Sequence, residues 1–230
     1  MKTYIITGAS KGIGYQTALS LLKKNHRVVA IARSADKLIR LQLESNSPNL
    51  ITITADLTLS DDIESIKEKI SQLAPISGLI NNAGVVLNKS FEETNIAEWR
   101  SVFEVNVFSS VQLTQSLLPY MAKESHILNI SSMGGFQGSS KFAGLSAYSA
   151  SKGALAILTE CLSTELTSSK IAVNCLCLGA VQTEMLAEAF PGYEAPVKPE
   201  QLGEYISDFI VSGHQFFNGK ILPVALNNPD

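Results

Sequence analysis

Cysteine is scarce in this chain of 230 residues: there are three, an odd number and too few for a disulfide framework, which fits a reducing cytoplasm. Long apolar runs are missing as well. Nothing approaches the ~20 residues of a membrane span, which argues against an integral membrane protein. The first residues, Met1-Lys2-Thr3-Tyr4-Ile5-Ile6-Thr7-Gly8, lack the apolar core of a secretory signal and read as a first strand. Neither sign of charge dominates, with 18 Lys and Arg against 21 Asp and Glu, net −3. A nucleic-acid protein draws its affinity from a basic face, so that class is disfavoured. No internal stretch is rich enough in Pro, Gly or Ser to be a linker, so residues 1–230 read as one domain. With 45% hydrophobic and 17% charged residues, a chain of this length buries roughly 70–75% of its unfolded surface and needs no disulfide or metal to fold.

What is present is an alternation of short apolar runs with longer amphipathic stretches. The runs Thr3–Thr7, Arg27–Ile31, Leu50–Thr54, Gly78–Asn81, His126–Ser131, Ile171–Leu176 and Lys220–Val224 are mostly continuous Val/Ile/Leu, as expected of strands covered on both faces. Helical spacing marks Gly14–Lys24, Asp36–Ser45, Ser60–Leu73, Ile96–Met121, Tyr148–Ser168 and Pro199–Ile210. The order predicts an α/β fold of Rossmann type, a doubly wound and mostly parallel sheet with helices on both faces. One segment, Phe190-Pro191-Gly192-Tyr193-Glu194-Ala195-Pro196, is punctuated by Pro and Gly and suits a lid, within 184–198, over the crevice at the strand ends.

The first strand runs into Gly8-Ala9-Ser10-Lys11-Gly12-Ile13-Gly14 and then a helix. Gly8 permits a tight turn, Gly12 lets a pyrophosphate approach the backbone, and Gly14 allows helix and strand to pack closely. Phosphates would then meet free N–H groups at the helix start. Tyr148 and Lys152, four residues apart, share one helix face. A free phenol titrates near ~10, and a nearby ammonium would bring it toward the range useful for general acid–base work.

Together with the Gly8–Gly14 loop, Asn82-Ala83-Gly84, Asn106, Ser131-Ser132 and Tyr148-Ser149-Ala150-Ser151-Lys152 resemble the short-chain dehydrogenase/reductase family in its small, single-domain branch. The resemblance covers about Lys2 to Thr183. It implies that Tyr148 exchanges a proton with the substrate oxygen, Ser132 donates a hydrogen bond to it, and Lys152 holds the nicotinamide-ribose hydroxyls. By the same resemblance Asn106 orders a water that connects Lys152 to solvent. Asp56 bonds the adenine ring, Thr183 bonds the nicotinamide carboxamide, and Ser10, Ile13, Asn82, Ala83 and Gly84 belong to the cofactor-binding set. A cofactor half, about 1–125, would precede a catalytic and substrate half, about 126–230. A homodimer or homotetramer is expected, built through the two long helices.

The chain departs from the family in three places. The interval from Ser132 to Tyr148 is longer than usual, so Phe136, Phe142 and Leu145 either line a substrate pocket or pack under the loop. Leu178 stands where proline is usual, and the common Asp-Gly-Gly ending is replaced by Pro223-Val224-Ala225-Leu226. After Thr183 only 47 residues remain, too few for a sugar-nucleotide substrate domain.

An NAD enzyme places an acidic residue at the end of the second strand for the ribose 2′-OH. Here Ala32 stands there, followed by Arg33, and Lys11 lies in the glycine loop. Two cations and no acid predict a 2′-phosphate and hence NADP(H). The expected activity is hydride transfer between NADP(H) and a small carbonyl or secondary alcohol substrate. The competing reading is a catalytically silent NADP(H)-binding sensor or scaffold of the same fold. No metal site is expected: Cys175 and Cys177 read as buried on a strand, and His26, His126 and His214 have no triad-like context.

Overall fold

The computed structural model describes residues 1–226. Seven strands form one sheet: Thr3–Thr7 (β1), Arg27–Ala32 (β2), Leu50–Thr54 (β3), Ile76–Asn81 (β4), Met121–Ser132 (β5), Ala172–Leu178 (β6) and Ile221–Val224 (β7). Their order is β3-β2-β1-β4-β5-β6-β7 and every pairing is parallel, so "mostly parallel" becomes wholly parallel among the described residues. The helices are Gly12–Lys23 (α1), Ala35–Ser45 (α2), Ser60–Ser71 (α3), Ile96–Phe103 (α4), Ser109–Leu117 (α5), Ser146–Glu165 (α6), Glu184–Ala189 (α7) and Pro199–Ser212 (α8).

Strand side chains alternate between faces, and both faces are covered. Tyr4 and Ile6 join Leu21, Leu38, Leu128 and Ile206 under α1, α2 and α8. Ile5 points the other way and joins Val29, Ile66, Leu79, Leu113 and Val173 under α3 and α5. Helix α8 lies close on α1 because Gly203 has no Cβ; one there would stand 2.7 Å from Gln16. The chain winds outward from β1 to β3, then returns to place β4 on the other side of β1. That reversal opens a crevice at the carboxyl ends of β1 and β4, where ligands bind in such sheets.

Several boundaries differ from the sequence reading. The stretch Ile96–Met121 is not one helix: a π turn, Glu104–Phe108, separates α4 from α5. Pro119 then sits in a 3-10 turn that ends the helical run, and β5 begins at Met121, five residues before His126. Helix α1 starts at Gly12 rather than Gly14, which brings the glycine loop into its first turn. The expected lid region contains a short helix, α7, where only a loop was anticipated.

Candidate active site

A cleft of about 800 Å³ runs along the carboxyl edge of the sheet, from the ends of β2 and β3 to Tyr148 and α7. Its floor is the glycine loop. Gly8 (φ +67°) and Gly12 (φ +58°) occupy the left-handed region that suits glycine. A Cβ on Gly8 would lie 2.9 Å from the Ala83 Cα, and one on Gly14 would lie 2.6 Å from the Gly8 carbonyl oxygen. Asn82 closes this floor from the neighbouring strand, its Nδ2 donating to the Thr7 and Gly8 carbonyls at 2.9 and 3.3 Å. Thr7 Oγ1 accepts from the N–H groups of Asn82 and Ala83, both at 3.0 Å. Lys11 precedes α1 in extended conformation and makes no side-chain cap, leaving the first-turn N–H groups to the cleft. This open cradle fits the pyrophosphate of a nicotinamide dinucleotide, with Ser10, Ile13, Ala83 and Gly84 on its walls.

At the far end stand Ser132, Tyr148 and Lys152, all on the cleft wall. Adjacent residues on β5 face opposite ways. Ser132 is half-buried on the cleft and accepts from the Gly134 N–H at 3.1 Å, whereas Ser131 Oγ is buried and donates to the Lys152 carbonyl at 2.7 Å. Lys152 is buried, with Nζ 2.9 Å from the Ile130 carbonyl and 6.0 Å from the Tyr148 ring centre. Burial lowers its ammonium to about 8. Burial raises the Tyr148 phenol, opposed by the Ser132 hydroxyl. The expected lowering of the phenol by Lys152 is therefore not what the geometry produces: desolvation raises it, and the influence that opposes burial is the Ser132 hydroxyl, not the ammonium 6.0 Å from the ring.

Asn106 lies in the π turn, wholly buried just behind the wall. Its amide holds both hydrogen bonds of Val85, from the N–H at 2.8 Å and to the carbonyl at 3.0 Å, and donates to Ser151 Oγ at 2.9 Å. The side chain is thus a strut between the loop that follows β4 and Ser151 of α6, one residue before Lys152.

The opposite end of the cleft is charged. Arg33 lines it with a side chain 67% exposed, 3.9 Å from Asp56. Asp56 accepts from the Thr58 N–H at 3.0 Å and hydroxyl at 2.8 Å, and the N–H first, then the hydroxyl and Arg33, hold its carboxyl below the usual range. Lys11 lies 3.3 Å from Glu184 and 3.6 Å from Glu188, both on α7. Lys37, missed in the sequence, also lines the cleft and pairs with Glu184 at 2.9 Å. Its signal was available: it follows Arg33 by four residues across the start of a helix.

Helix α7 and its flanks roof the cleft. Thr183 caps α7, its Oγ1 accepting from the Leu186 N–H at 3.2 Å, which leaves the hydroxyl proton free to donate elsewhere. Val181 bridges to Val197, Gln182 Oε1 accepts from the Ala195 N–H at 2.6 Å, and Asn88 donates to the Ala189 carbonyl at 2.9 Å. Of the loop before α6, Phe142 and Leu145 line the cleft, while Phe136 packs against the buried Met133, Cys175 and Cys177.

Comparison with known proteins adds independent findings. The chain is 33% identical over 193 residues to the ketoacyl reductase HetN of Nostoc sp., covering 81% of this chain and 66% of that protein. It is 31% identical over 218 residues to a fatty acyl-CoA reductase of Acinetobacter baylyi, covering 91% and 73%. Among solved structures, a 3-ketoacyl-(acyl-carrier-protein) reductase from Brucella melitensis complexed with NADH superposes with a TM-score of 0.87 at 26% identity, covering 97% of this chain and 96% of that one. The family model for short chain dehydrogenases matches residues 2–194. The glycine cradle, the parallel sheet and these matches agree, and the chain belongs to the short-chain dehydrogenase/reductase family of oxidoreductases.

Proposed function

We propose that the protein is an NADP(H)-dependent reductase of carbonyl compounds, or in reverse a dehydrogenase of secondary alcohols, with Tyr148 as general acid and base. The observation that carries this reading is the placing of Tyr148 and Ser132 on one cleft wall that continues into the glycine cradle. Held in the glycine cradle, a nicotinamide cofactor would supply a hydride for the carbonyl carbon. Tyr148 passes its proton to the carbonyl oxygen, and Ser132 donates a hydrogen bond to the same oxygen. A phenol raised by burial holds its proton until an oxyanion develops beside it, the behaviour a general acid needs. Lys152, with its ammonium lowered to about 8, holds the ribose hydroxyls and exchanges protons near neutral pH. Asn106 keeps α6 in register and orders the water that returns Lys152 to solvent.

The preference for NADP(H) rests on Arg33, Lys11 and Lys37 around one end of the cleft and on the absence of an acid at Ala32. Asp56 takes the adenine and Thr183 the carboxamide. Residues up to about 125 serve mainly the cofactor and those from 126 onward the substrate. A cytoplasmic homodimer or homotetramer, assembled through α4, α5 and α6, completes the reading; a clean monomer by light scattering refutes that assembly.

The test is NADPH consumption against a panel of carbonyl compounds, beside NADH and Tyr148→Phe, with cofactor binding followed by thermal shift. The expected result is NADPH-preferring turnover that drops roughly 10²- to 10⁴-fold in Tyr148→Phe while NADPH still stabilises the variant. Stabilisation by NADPH with no turnover anywhere on the panel would instead identify a silent sensor.

A further inference from the structure

We propose that the substrate end of this cleft takes a neutral carbonyl compound with an apolar body, and rejects ketones carrying a carboxylate or phosphate. The inference rests on the reading of Tyr148 as the acid and base. Around Tyr148 and under α7 the wall is built from Val86, Val105, Phe142, Leu145, Leu186 and Phe190. The charged side chains on the whole cleft wall are Lys11, Arg33, Lys37, Asp56, Glu184 and Lys152. Five of them cluster at the end beside β2 and pair among themselves or with Glu188. The sixth, Lys152, lies beneath Tyr148 and is tied to the Ile130 carbonyl.

Two cations on the flanking segments also have partners of their own. Lys89 holds both carboxylate oxygens of Glu98, at 2.8 and 2.9 Å. Lys141 donates to the Phe136 and Ser139 carbonyls, at 2.7 and 3.1 Å. An anionic substrate group would lose its water against this apolar wall, and among the described residues the cations that line the cleft already have a carboxylate or carbonyl partner, a cost that apolar contact does not offset. An alkyl or aryl body gains with each methylene it buries. Beside Tyr148 the Ser132 hydroxyl suffices, with the phenol, to hold one carbonyl oxygen and leaves the apolar wall to the rest of the substrate.

The experiment compares methyl ketones of increasing chain length with the same chains ending in a carboxylate, using NADPH and the wild-type enzyme. Each added methylene should raise kcat/KM roughly two- to fourfold until the cleft is filled. The terminal carboxylate should lower it at least about tenfold. Leu186→Lys should narrow that gap by supplying the missing cation. Affinity of the same ketones for NADPH-loaded Tyr148→Phe protein reads the pocket without the chemistry. Tighter binding or faster turnover of the carboxylated series in the wild-type wall overturns the inference. Binding of the neutral series without turnover in the wild type overturns the activity assigned to Tyr148 and leaves the inference standing. Failure of the neutral series to bind overturns the inference.

Discussion

Burial moves the two titrating groups of the site toward their neutral forms: the Tyr148 phenol keeps its proton and the Lys152 ammonium loosens its own. Both sit on α6, one turn apart, so four residues of sequence were enough to find them. At the other end of the cleft the proposed reading gives Arg33 a different task, because a guanidinium fork offers two parallel donors to a phosphate. Arg33→Asp should weaken NADPH binding roughly 10- to 100-fold, the value of a charge-assisted hydrogen bond, and NADH binding far less. Titration of both cofactors with the two proteins checks this, and equal losses would sink the 2′-phosphate assignment. Glycines, serine, tyrosine and lysine were legible because their spacing follows the backbone. Lys37, Glu184 and Asn88 were not, since their partners lie 147 and 101 positions away along the chain. Only the folded cleft brings such residues together.

Elements built on one local pattern were read correctly, and those that break a pattern were not. The helical periodicity of Ile96–Leu117 runs through the π turn almost undisturbed, so the extra residue that presents Asn106 left no mark in the spacing. Removing that strut should loosen both neighbours: Asn106→Ala strands the Val85 backbone and is expected to cost about 1–3 kcal/mol in urea denaturation. Helix α7 is too short to show a period, yet it carries Glu184 between Lys11 and Lys37. These are exposed pairs, individually worth little. In the proposed reading a 2′-phosphate would draw on the same ammonium groups, so Glu184→Gln should tighten NADPH binding about three- to tenfold while leaving NADH nearly unchanged. Calorimetry on both cofactors checks it. A matched loss for both would mean that the carboxylate serves only to hold α7 down.

At the scale of the whole molecule, acid sensitivity is set away from the cleft. His126 is buried, its Nδ1 3.2 Å from the Ile210 carbonyl and its Nε2 receiving the Asn174 amide at 2.9 Å. Burial lowers its folded pKa to about 4, and His26 and His214 are lowered too, again chiefly by burial. An imidazole held below its unfolded value of ~6.5 contributes stability that is present above that pH and is lost as pH falls toward 4. Between pH 7 and 5 the His126 share of the loss comes to about 2 kcal/mol. Urea midpoints at the two pH values should show it, and His126→Gln should flatten the difference. A variant as acid-sensitive as the wild type would place the titration elsewhere.

The parallel sheet has a further consequence in time. Among the described residues no strand pairs with its neighbour through a tight turn, so each ladder waits for a whole crossover to emerge. Strands β1 to β4 are complete by Asn81 and can pair around the glycine loop while the later strands are still being synthesised. Strand β5 is complete only at Ser132, 51 residues later. At ribosomal speeds of ~5–20 residues per second that interval lasts about 3 to 10 s. During it the β4 edge, destined for β5, is bare, and a nascent chain in this condition is a natural client for chaperones.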